Sequence, residues 1–337
     1  MRKTTILFII IDLCAIICFV LFYGPFEKFR NIIVNTAMVT KSHQYIAYTF
    51  YSEDTVQKIM DLNKFIPVSE KIDLNDIVIN TGEKDTYDNE YDEAILKRDN
   101  KDDSYKYLNI KVGKYNAHLV AIYEPEKVRL ITSKTFNTGS GQETVPKMCS
   151  RYGGVVCING GGFKDLDGWG SDTPIGYVIK DGKVIWAEDN SKQDIIGITN
   201  DNKLLLINAT GEEAIEMGMR DGVQFGPFLI VNGESIKYNS SVGGYDRAAR
   251  VAIAQRKDGV ILFLATEGTH GSGPTMKEVV ETLELYGAYN AANLDGGTSS
   301  QMVIEGKLVN NPKNVFGQSV SGGRRVVTGF ALIPDAE

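Results

Sequence analysis

Hydrophobic residues form one long uninterrupted run near the start of the chain. Residues 4–23 are almost wholly apolar, and about 20 such residues in a helix match the roughly 30 Å hydrocarbon core of a bilayer. No small-x-small cleavage site follows this run, which favours an uncleaved signal anchor over a removed signal peptide. We therefore expect residues 1–25 to be a single-pass anchor in the cell membrane. The short tail with Arg2 and Lys3 is expected in the cytoplasm and the rest of the chain outside.

Two segments of different amino-acid composition follow the anchor. Residues 26–82 place apolar residues such as Phe29, Ile32 and Ile33 at helical spacing, which predicts a helical stalk close to the membrane. Residues 83–105 are dense in charge and contain few large aliphatic residues, a composition typical of a solvated linker.

Residues 106–337 have the pattern of a strand-rich domain, in which short runs of Val, Ile and Leu are separated by Gly, Asp and Asn. The predicted strands are Tyr107–Val112, His118–Tyr123, Val128–Thr132, Val155–Asn159, Gly176–Ile179, Val184–Ala187, Leu204–Ile207, Phe228–Val231, Arg250–Ala254, Val260–Ala265, Ala291–Leu294, Gln301–Ile304 and Arg325–Leu332. Helices are predicted at about 143–152 and 275–286. Many strands with few helices predict an α+β domain with a single mixed sheet.

Composition narrows the classes of partner. The chain has 337 residues, with 36 Lys and Arg against 43 Asp and Glu, a formal net charge of −7. An acidic chain lacks the surplus of cations that attracts nucleic acid in general, although a local basic pocket for one phosphate stays open. The glycine signatures of dinucleotide and P-loop sites and the Cys/His spacing of zinc sites do not occur, so we expect no cofactor and no metal.

Two features of the sequence leave alternatives open. Asp12 lies in the middle of the predicted membrane helix, where a carboxylate is costly. It is either a contact with another membrane protein or a second copy, or a protonated side chain without a role. Cys149 and Cys157 either form a disulfide in an exported domain, or stay reduced because Cys157 falls in a predicted buried strand.

The first glycine-rich segment that could carry chemistry begins at Asn159. A predicted buried strand ends there and continues into three glycines, including Gly160 and Gly161. Glycine lets backbone N–H groups approach a ligand closely, and an Asn amide binds hydroxyl or N-acetyl groups. The alternative is a strand that simply ends in a tight turn.

A second segment combines a carboxylate, an amide and hydroxyl groups. Asn293 and Asp295 would point to one face by the strand period of two, and Gly296, Gly297 and Ser299 follow them. Such a group of residues is suited to a reacting sugar centre. It is not a serine-hydrolase elbow, since Gly-x-Ser-x-Gly is absent.

Further charged candidates stand beside glycines in the second half of the chain. Glu267 ends a predicted strand and supplies a second carboxylate, and His270 in the following loop is a candidate general acid or base or simply an exposed residue. Arg250 and Arg325 each begin a predicted strand near a glycine pair. Their planar guanidinium groups suit bidentate phosphate binding, with surface solvation as the alternative.

Five motifs in the same order resemble the phosphodiester glycosidase family over about residues 105–335. They are Ile-Asn-Gly-Gly-Gly-Phe, Gly-Pro-Phe-Leu-Ile-Val-Asn-Gly, Arg-Val-Ala-Ile-Ala, Asn-Leu-Asp-Gly-Gly-Thr-Ser-Ser, and Asn-Pro followed by Arg-Arg-Val. The resemblance implies one pocket that contains catalytic and substrate-binding residues. The implied catalytic residues are Asp295, Glu267, Arg250 and Asn293. The implied substrate-binding residues are Asn159, Gly160, Gly161, Gly296, Gly297, Ser299 and Arg325; His270 is added to them from its place in the glycine-rich loop.

The function that this resemblance implies is hydrolysis of the glycosidic bond of a sugar-1-phosphodiester, with a phosphate-linked glycan of the cell surface or an exopolysaccharide as substrate. Asp295 or Glu267 would act as nucleophile or base, and arginines would stabilise the phosphate. Two other classes are open: a membrane-anchored polysaccharide-binding or assembly protein, and a metal-dependent phosphodiesterase. Binding without turnover would distinguish the first, and chelator sensitivity with P–O cleavage the second.

Overall fold

The computed structural model describes residues 2–39, 44–62, 65–66, 72–82, 84–165, 171–238, 247–269 and 271–336. The chain divides into two compact units. The first holds the described residues up to residue 65, and the second holds the described residues of 66–237 and 247–336. All the glycine-rich motifs lie in the second unit.

The first unit, which also includes residue 238, is mainly helical in its described residues. Its helices are α1 (Arg2–Tyr23), α2 (Glu27–Val39), α3 (Gln44–Phe50) and α4 (Glu53–Leu62). Helix α1 is long and apolar enough over Thr5–Tyr23 to cross a membrane, and none of that stretch is buried inside the protein. The same length and composition also fit a signal sequence.

A small apolar core holds the end of helix α1 and helices α2 to α4 together. Val34 and Ala47 are fully buried, and the rings of Phe22 and Phe50 lie with their centroids 4.3 Å apart. The helical spacing of apolar residues explains this packing, because residues three and four apart share one face of a helix. The region expected to form a membrane-proximal stalk therefore contains packed helices.

The second unit consists mainly of antiparallel strands. The strands of the chain are β1 (Phe65–Ile66), β2 (Tyr105–Val112), β3 (Tyr115–Ile122), β4 (Val128–Thr132), β5 (Glu143–Thr144), β6 (Val156–Asn159), β7 (Tyr177–Lys180), β8 (Lys183–Ala187), β9 (Gln193–Thr199), β10 (Leu204–Ala209), β11 (Met219–Gln224), β12 (Phe228–Val231), β13 (Glu234–Ser235), β14 (Lys237–Tyr238), β15 (Val251–Arg256), β16 (Ile261–Thr266), β17 (Ala288–Leu294), β18 (Met302–Ile304), β19 (Lys307–Leu308), β20 (Arg325–Val326) and β21 (Thr328–Leu332). The helices are α5 (Glu90–Leu96), α6 (Val145–Tyr152), α7 (Gly211–Glu216) and α8 (Met276–Leu285).

Three sheets account for most of these strands. One has seven strands in the order β13-β12-β17-β15-β16-β3-β2, and two have five, in the orders β19-β18-β6-β21-β4 and β10-β9-β11-β7-β8. They share one hydrophobic core, to which Phe263, Phe330 and Ile196 each contribute a fully buried side chain from a different sheet. Strands β15 and β16 are buried along their whole length, and their sequences are apolar as far as Ala254 and Ala265.

The predicted α+β class is confirmed, with the strands distributed over three sheets instead of one. Strands β9 and β11 escaped prediction because each contains a glycine and polar residues in place of an apolar run. A Cβ atom on Gly197 would lie 2.2 Å from the carbonyl oxygen of Asp221, so the close approach of these two strands requires glycine there.

The charged segment 83–105 is not a solvated linker in its described residues. Asn89 caps helix α5 by accepting hydrogen bonds from two backbone N–H groups, and Ile95 is fully buried. Asp92 forms an ion pair of 2.8 Å with Arg256, a residue of β15 that is only 8% exposed. Many of the charges of this segment are on the surface, but its few apolar residues and Asp92 join it to the second unit.

Cys149 on α6 and Cys157 on β6 form a disulfide with their Cα atoms 5.9 Å apart. The helix ends at Gly153 in the left-handed conformation, which turns the chain back towards β6. A Cβ atom on Gly154 would lie 2.7 Å from the sulfur of Cys157. Glycine at this position therefore leaves room for the disulfide.

Candidate active site

Three neighbouring strands of the seven-stranded sheet bring charged residues to one edge. Val251, the first residue of β15, pairs with the last residue of β17 and with the penultimate residue of β16. Asp295 directly follows β17, Arg250 directly precedes β15, and Glu267 directly follows β16. Neighbouring strands lie about 4.8 Å apart, so the two acidic residues stand two strand spacings apart, with Arg250 on the strand between them.

Asn159 connects this edge to the five-stranded sheet that contains β6. Its Nδ2 donates to the carbonyl oxygen of Asp295 at 2.6 Å, and its Oδ1 accepts from the backbone N–H of Gln301 at 2.9 Å. The backbone N–H of Asp295 donates in turn to the carbonyl oxygen of Gly160 at 3.0 Å. Asn159 is 1% exposed, and its side-chain amide fixes the backbone at Asp295.

The carboxyl group of Asp295 is the most strongly perturbed acid at this edge. Burial raises its pKa to about 6, and the nearby charge of Asp165 contributes to the rise. A hydrogen bond from Ser299, the positive charge of Arg324 and a bond from the N–H of Gly296 oppose the rise. At neutral pH such a carboxyl group populates both protonation states, which is what acid–base chemistry requires.

Arg324 contacts Ser299 and Asp165 beside Asp295, whereas Arg325 has no such contact among the described residues. The Nη1 of Arg324 lies 3.4 Å from the hydroxyl of Ser299, and its Nη2 pairs with Asp165. Arg325 is exposed on β20, where its neighbour Val326 is buried. Successive side chains of a strand point to opposite faces, so burial of Val326 turns Arg325 outward and Arg324 inward.

Glu267 is held by two partners on the same oxygen. Its Oε1 accepts from the backbone N–H of Asn311 at 2.9 Å and lies 3.4 Å from the Nε2 of His118. Arg250 is anchored through its backbone, which exchanges two hydrogen bonds with Thr266 at 2.8 Å and 2.9 Å. These bonds fix the two charged residues on adjacent strands.

Asn293 is buried next to the loop that precedes β12. Its Nδ2 donates to the carbonyl oxygen of Gly226 at 3.1 Å, and its side chain is part of a residue that is 4% exposed. Among the described residues its Oδ1 has no hydrogen-bond partner. Buried acceptors are nearly always paired in folded proteins, so this oxygen is a candidate acceptor for a ligand hydroxyl.

Three of the predicted ligand-binding glycines already donate their N–H groups inside the protein. Gly160 and Gly161 donate to the carbonyl and hydroxyl oxygens of Thr328, at 2.9 Å and 3.0 Å. Gly297 donates to the carbonyl oxygen of Ala249 at 2.8 Å. These groups therefore join strands in this structure and do not form an open phosphate cradle.

The glycine identity at this edge follows from close packing. A Cβ atom on Gly161 would lie 2.8 Å from the carbonyl oxygen of Gln224, and one on Gly296 would lie 2.6 Å from that of Ala249. Gly297 has a φ of 58°, the left-handed region that favours glycine. The glycine cluster is thus explained by strand contacts and by one turn.

Of the remaining expected site residues, Ser299 is buried beside Asp295, and His270 lies outside the described residues. In the part of the chain that the structure describes, no group of three or more His, Cys, Asp or Glu side chains is arranged to hold a metal ion.

Sequence reasoning missed Arg324, Asp165 and His118 as site residues. Alternation around Val326 could have separated Arg324 from Arg325. His118 lies within an otherwise apolar strand, and a polar residue in such a strand is a signal of a paired side chain. Asp165 carries no comparable signal, because only the folded chain brings it beside Arg324.

The edge contains two carboxyl groups, two guanidinium groups and a buried hydroxyl. Carboxyl groups exchange protons or attack an electrophilic carbon, while guanidinium groups stabilise negative charge on a phosphate. Such a combination suits acid–base or nucleophilic chemistry next to a bound anion.

Comparison with known proteins places the chain in a family. The family model described as phosphodiester glycosidase matches residues 152–333, more than half of the chain, and the protein belongs to that family. The N-acetylglucosamine-1-phosphodiester alpha-N-acetylglucosaminidase of Mus musculus is 24% identical over 217 residues, 58% of this chain and 41% of the mouse protein. The SPbeta prophage-derived uncharacterized protein YomE of Bacillus subtilis (strain 168) is 29% identical over 205 residues, 56% of this chain and 30% of its own length. The chain thus matches less than half the length of these relatives.

A solved structure has the same fold. The catalytic domain of zebrafish N-acetylglucosamine-1-phosphodiester alpha-N-acetylglucosaminidase, auto-inhibited by its pro-peptide, superposes with a TM-score of 0.55 at 19% identity. The match covers 68% of this chain and 81% of the zebrafish domain. The three-sheet architecture is therefore that of a known catalytic domain.

Proposed function

We propose that this protein is a hydrolase that cleaves the glycosidic bond of a sugar-1-phosphodiester. The observation that carries the proposal is the environment of Asp295, a partly buried carboxyl group with a pKa of about 6 beside the guanidinium of Arg324. Both residues lie within the family-matched part of the chain. Membership of the phosphodiester glycosidase family supports the same reaction.

The reaction forms one bond and breaks another at the anomeric carbon. The oxygen of water bonds to this carbon, and the bond from the carbon to the phosphate oxygen breaks, with its electron pair leaving on the phosphate. The products are a free sugar and a phosphate monoester. One proton of the water stays on the new sugar hydroxyl, and the other passes to a carboxylate or to the released phosphate.

The proposed roles follow from charge and position. Asp295 exchanges the proton or attacks the anomeric carbon, and Glu267 is the second carboxylate of the pair that glycosidases use. Arg324 stabilises the charge that develops on the phosphate, and we propose Arg324 for the role that the sequence suggested for Arg325. Arg250, on the strand between the two acidic residues, is a further phosphate ligand.

Substrate contacts are proposed for polar groups that lie beside these residues. The Oδ1 of Asn293, buried and without a partner among the described residues, would accept a bond from a sugar hydroxyl. Ser299 holds the Asp295 carboxyl. Asn159 and the glycines Gly160, Gly161, Gly296 and Gly297 are proposed to shape the site through the backbone contacts described above.

We further propose that α1 anchors the protein in the cell membrane with the second unit outside the cell. The Cys149–Cys157 disulfide supports this side, since disulfides form and persist in oxidising compartments. The substrate would then be a phosphate-linked glycopolymer of the cell surface or an exopolysaccharide. Asp12, in the middle of α1, is proposed as a contact with a membrane partner, because a carboxylate in lipid is costly without one.

The decisive experiment follows the oxygen of water. The full-length protein in detergent is incubated with N-acetylglucosamine 1-phosphodiesters in water enriched in oxygen-18, and the products are weighed by mass spectrometry. We expect the heavy oxygen in the sugar, with Asp295→Asn at least about 100-fold slower.

Other outcomes would contradict the proposal. Heavy oxygen in the phosphate would assign P–O cleavage and a phosphodiesterase. Saturable binding of phosphate-linked glycans without turnover, across a panel of sugars and with the fold verified by circular dichroism, would assign a polysaccharide-binding protein.

A further inference from the structure

A row of three hydrogen-bonding side chains extends from Glu267 away from the sheet edge. The Oε1 of Glu267 lies 3.4 Å from the Nε2 of His118, and the Nδ1 of His118 lies 2.7 Å from the hydroxyl of Tyr107. The hydroxyl of Tyr107 donates to the Oδ1 of Asn109 at 2.8 Å. His118 and Tyr107 belong to β3 and β2, which precede the family-matched residues 152–333.

The residues of this row are held firmly enough to define its hydrogen bonds. His118 is buried, and its ring stacks on that of Tyr107 with an interplanar angle of 10°. Strands β2 and β3 pair over their whole length, with Asn109 directly opposite His118. The titratable groups that face the imidazole are Tyr107 on β2 and Glu267 after β16.

Counting hydrogens along the row determines which nitrogen of His118 donates. Burial raises the pKa of Tyr107, the bond to Asn109 opposes this, and the charge of Glu267 adds to the rise, so the phenol stays neutral. A neutral phenol has one hydrogen, and Tyr107 gives it to Asn109. The contact between Tyr107 and the Nδ1 of His118 therefore needs the hydrogen on Nδ1.

A hydrogen on Nδ1 determines what Nε2 of His118 can bond to. A neutral imidazole protonated at Nδ1 has a lone pair at Nε2, and a lone pair does not bond to an ionised carboxylate. A hydrogen bond between Nε2 and Oε1 therefore requires one more proton, on His118 or on Glu267. With that proton present, the two side chains share it at the edge of the candidate active site.

We propose that His118 is a positioning residue that holds a shared proton against the Oε1 of Glu267 and so sets the protonation state in which Glu267 meets the substrate. The inference rests on the proposed function. Both hydrogen bonds that the described residues give to the Glu267 carboxyl group fall on Oε1, and none of them falls on Oε2. Tyr107 acts one step further out, by fixing the tautomer of His118.

One test reads the proton directly and needs no substrate. The chain has three histidines, at positions 43, 118 and 270, so nitrogen-15 labelling of histidine in the full-length protein in detergent gives a spectrum in which His118→Gln identifies one set of signals. We expect His118 to carry a proton on Nδ1 at every pH. We also expect Glu267→Gln to change the nitrogen-15 chemical shift of its Nε2. A His118 protonated at Nε2 and not at Nδ1, with an Nε2 signal that Glu267→Gln does not change, would overturn the proposal.

A second test reads the consequence for catalysis. For His118→Gln we expect kcat to fall about 10- to 100-fold with KM within about threefold of the wild type. The pH profile of kcat/KM should be displaced, and Tyr107→Phe should displace it in the same direction by less. Tyr115→Phe, on β3 beside the turn to β2, is the matched control and should leave rate and profile unchanged.

The outcomes separate the two proposals. A pH profile of His118→Gln that superimposes on that of the wild type, with kcat changed less than twofold, would overturn the role of His118 and leave the glycosidase proposal standing. Absence of wild-type turnover on every sugar-1-phosphodiester would overturn the proposed function, and the histidine spectrum would still decide whether the proton is shared.

Discussion

The side-chain amide of Asn159 donates to the backbone carbonyl of Asp295 across 2.6 Å, and this bond joins two sheets at the candidate active site. Residues 136 positions apart in the chain are thereby fixed relative to each other. The backbone N–H of Asp295 completes the link by donating to Gly160. The backbone that carries this carboxyl group is therefore fixed from the neighbouring sheet, while Ser299 and the N–H of Gly296 bond to the carboxyl group itself.

The perturbed carboxyl of Asp295 predicts a pH-dependent cost to stability. Its pKa is raised from 3.8 to about 6, so folding favours the protonated form. Stability from this group is fully present below pH 3.8 and is lost as the pH rises through about 6. A rise of about two units in pKa corresponds to about 3 kcal/mol in the free energy of unfolding, and Asp295→Asn should restore this stability at pH 8.

Thermal unfolding of wild type and Asp295→Asn at pH 4 and pH 8 measures this effect. We expect the variant to melt above the wild type at pH 8 and near it or below it at pH 4, while it loses hydrolase activity at both. An equal difference between the two proteins at both pH values would contradict the raised pKa.

Arg324 and its neighbour provide a matched pair of variants for the phosphate site. Arg324→Ala removes a guanidinium group beside Ser299 and Asp165 and should lower kcat/KM about 100- to 1,000-fold. Arg325→Ala removes an exposed side chain at the start of β20, the next position in the chain, and should stay within about twofold of the wild type. Steady-state kinetics on one sugar-1-phosphodiester decides the assignment, and the opposite ranking would return the role to Arg325.

The charged segment 83–105 can be tested as part of the second unit. Asp92→Asn weakens a buried ion pair with Arg256, and we expect a loss of about 1–3 kcal/mol in the free energy of unfolding. Asp258 also pairs with Arg256, which keeps the loss below that for an isolated buried charge. Asp99→Asn, in an exposed ion pair with Lys106, is the control and should change stability by less than about 0.5 kcal/mol. Equal, small effects in denaturant titrations would argue for a solvated linker.

The disulfide between Cys149 and Cys157 should stabilise the fold by closing a short loop. Replacing both cysteines by serine is expected to cost about 2–3 kcal/mol, the entropy of closing a loop of this length. The paired replacement of Cys14 and Cys18, the free cysteines of α1, is the control and should leave the unfolding of the second unit unchanged. Mass spectrometry of the alkylated protein should find two free thiols, and four would show that the disulfide does not form.

Local pattern was sufficient for much of this protein. The apolar run of α1, the strands around Ile158, Phe263 and Leu294, and the helix opened by Thr275 follow from spacing alone. The N-cap at Thr275 forms because its hydroxyl and the side chain of Glu278 satisfy each other's backbone N–H groups. The order of the motifs identified the family, whose model matches residues 152–333.

Other features depend on contacts between distant residues, and only the tertiary structure decides them. The sequence shows that Asn159 is followed by a cluster of glycines. It does not show whether the glycine N–H groups face a ligand or a neighbouring strand, because that depends on partners such as Thr328 and Ala249. The same holds for the shift in the pKa of Asp295, because burial and the charges of Arg324 and Asp165 act through space and not along the chain. Residue types and spacing therefore determined the class of chemistry, and the packing of three sheets determined which side chains are placed to perform it.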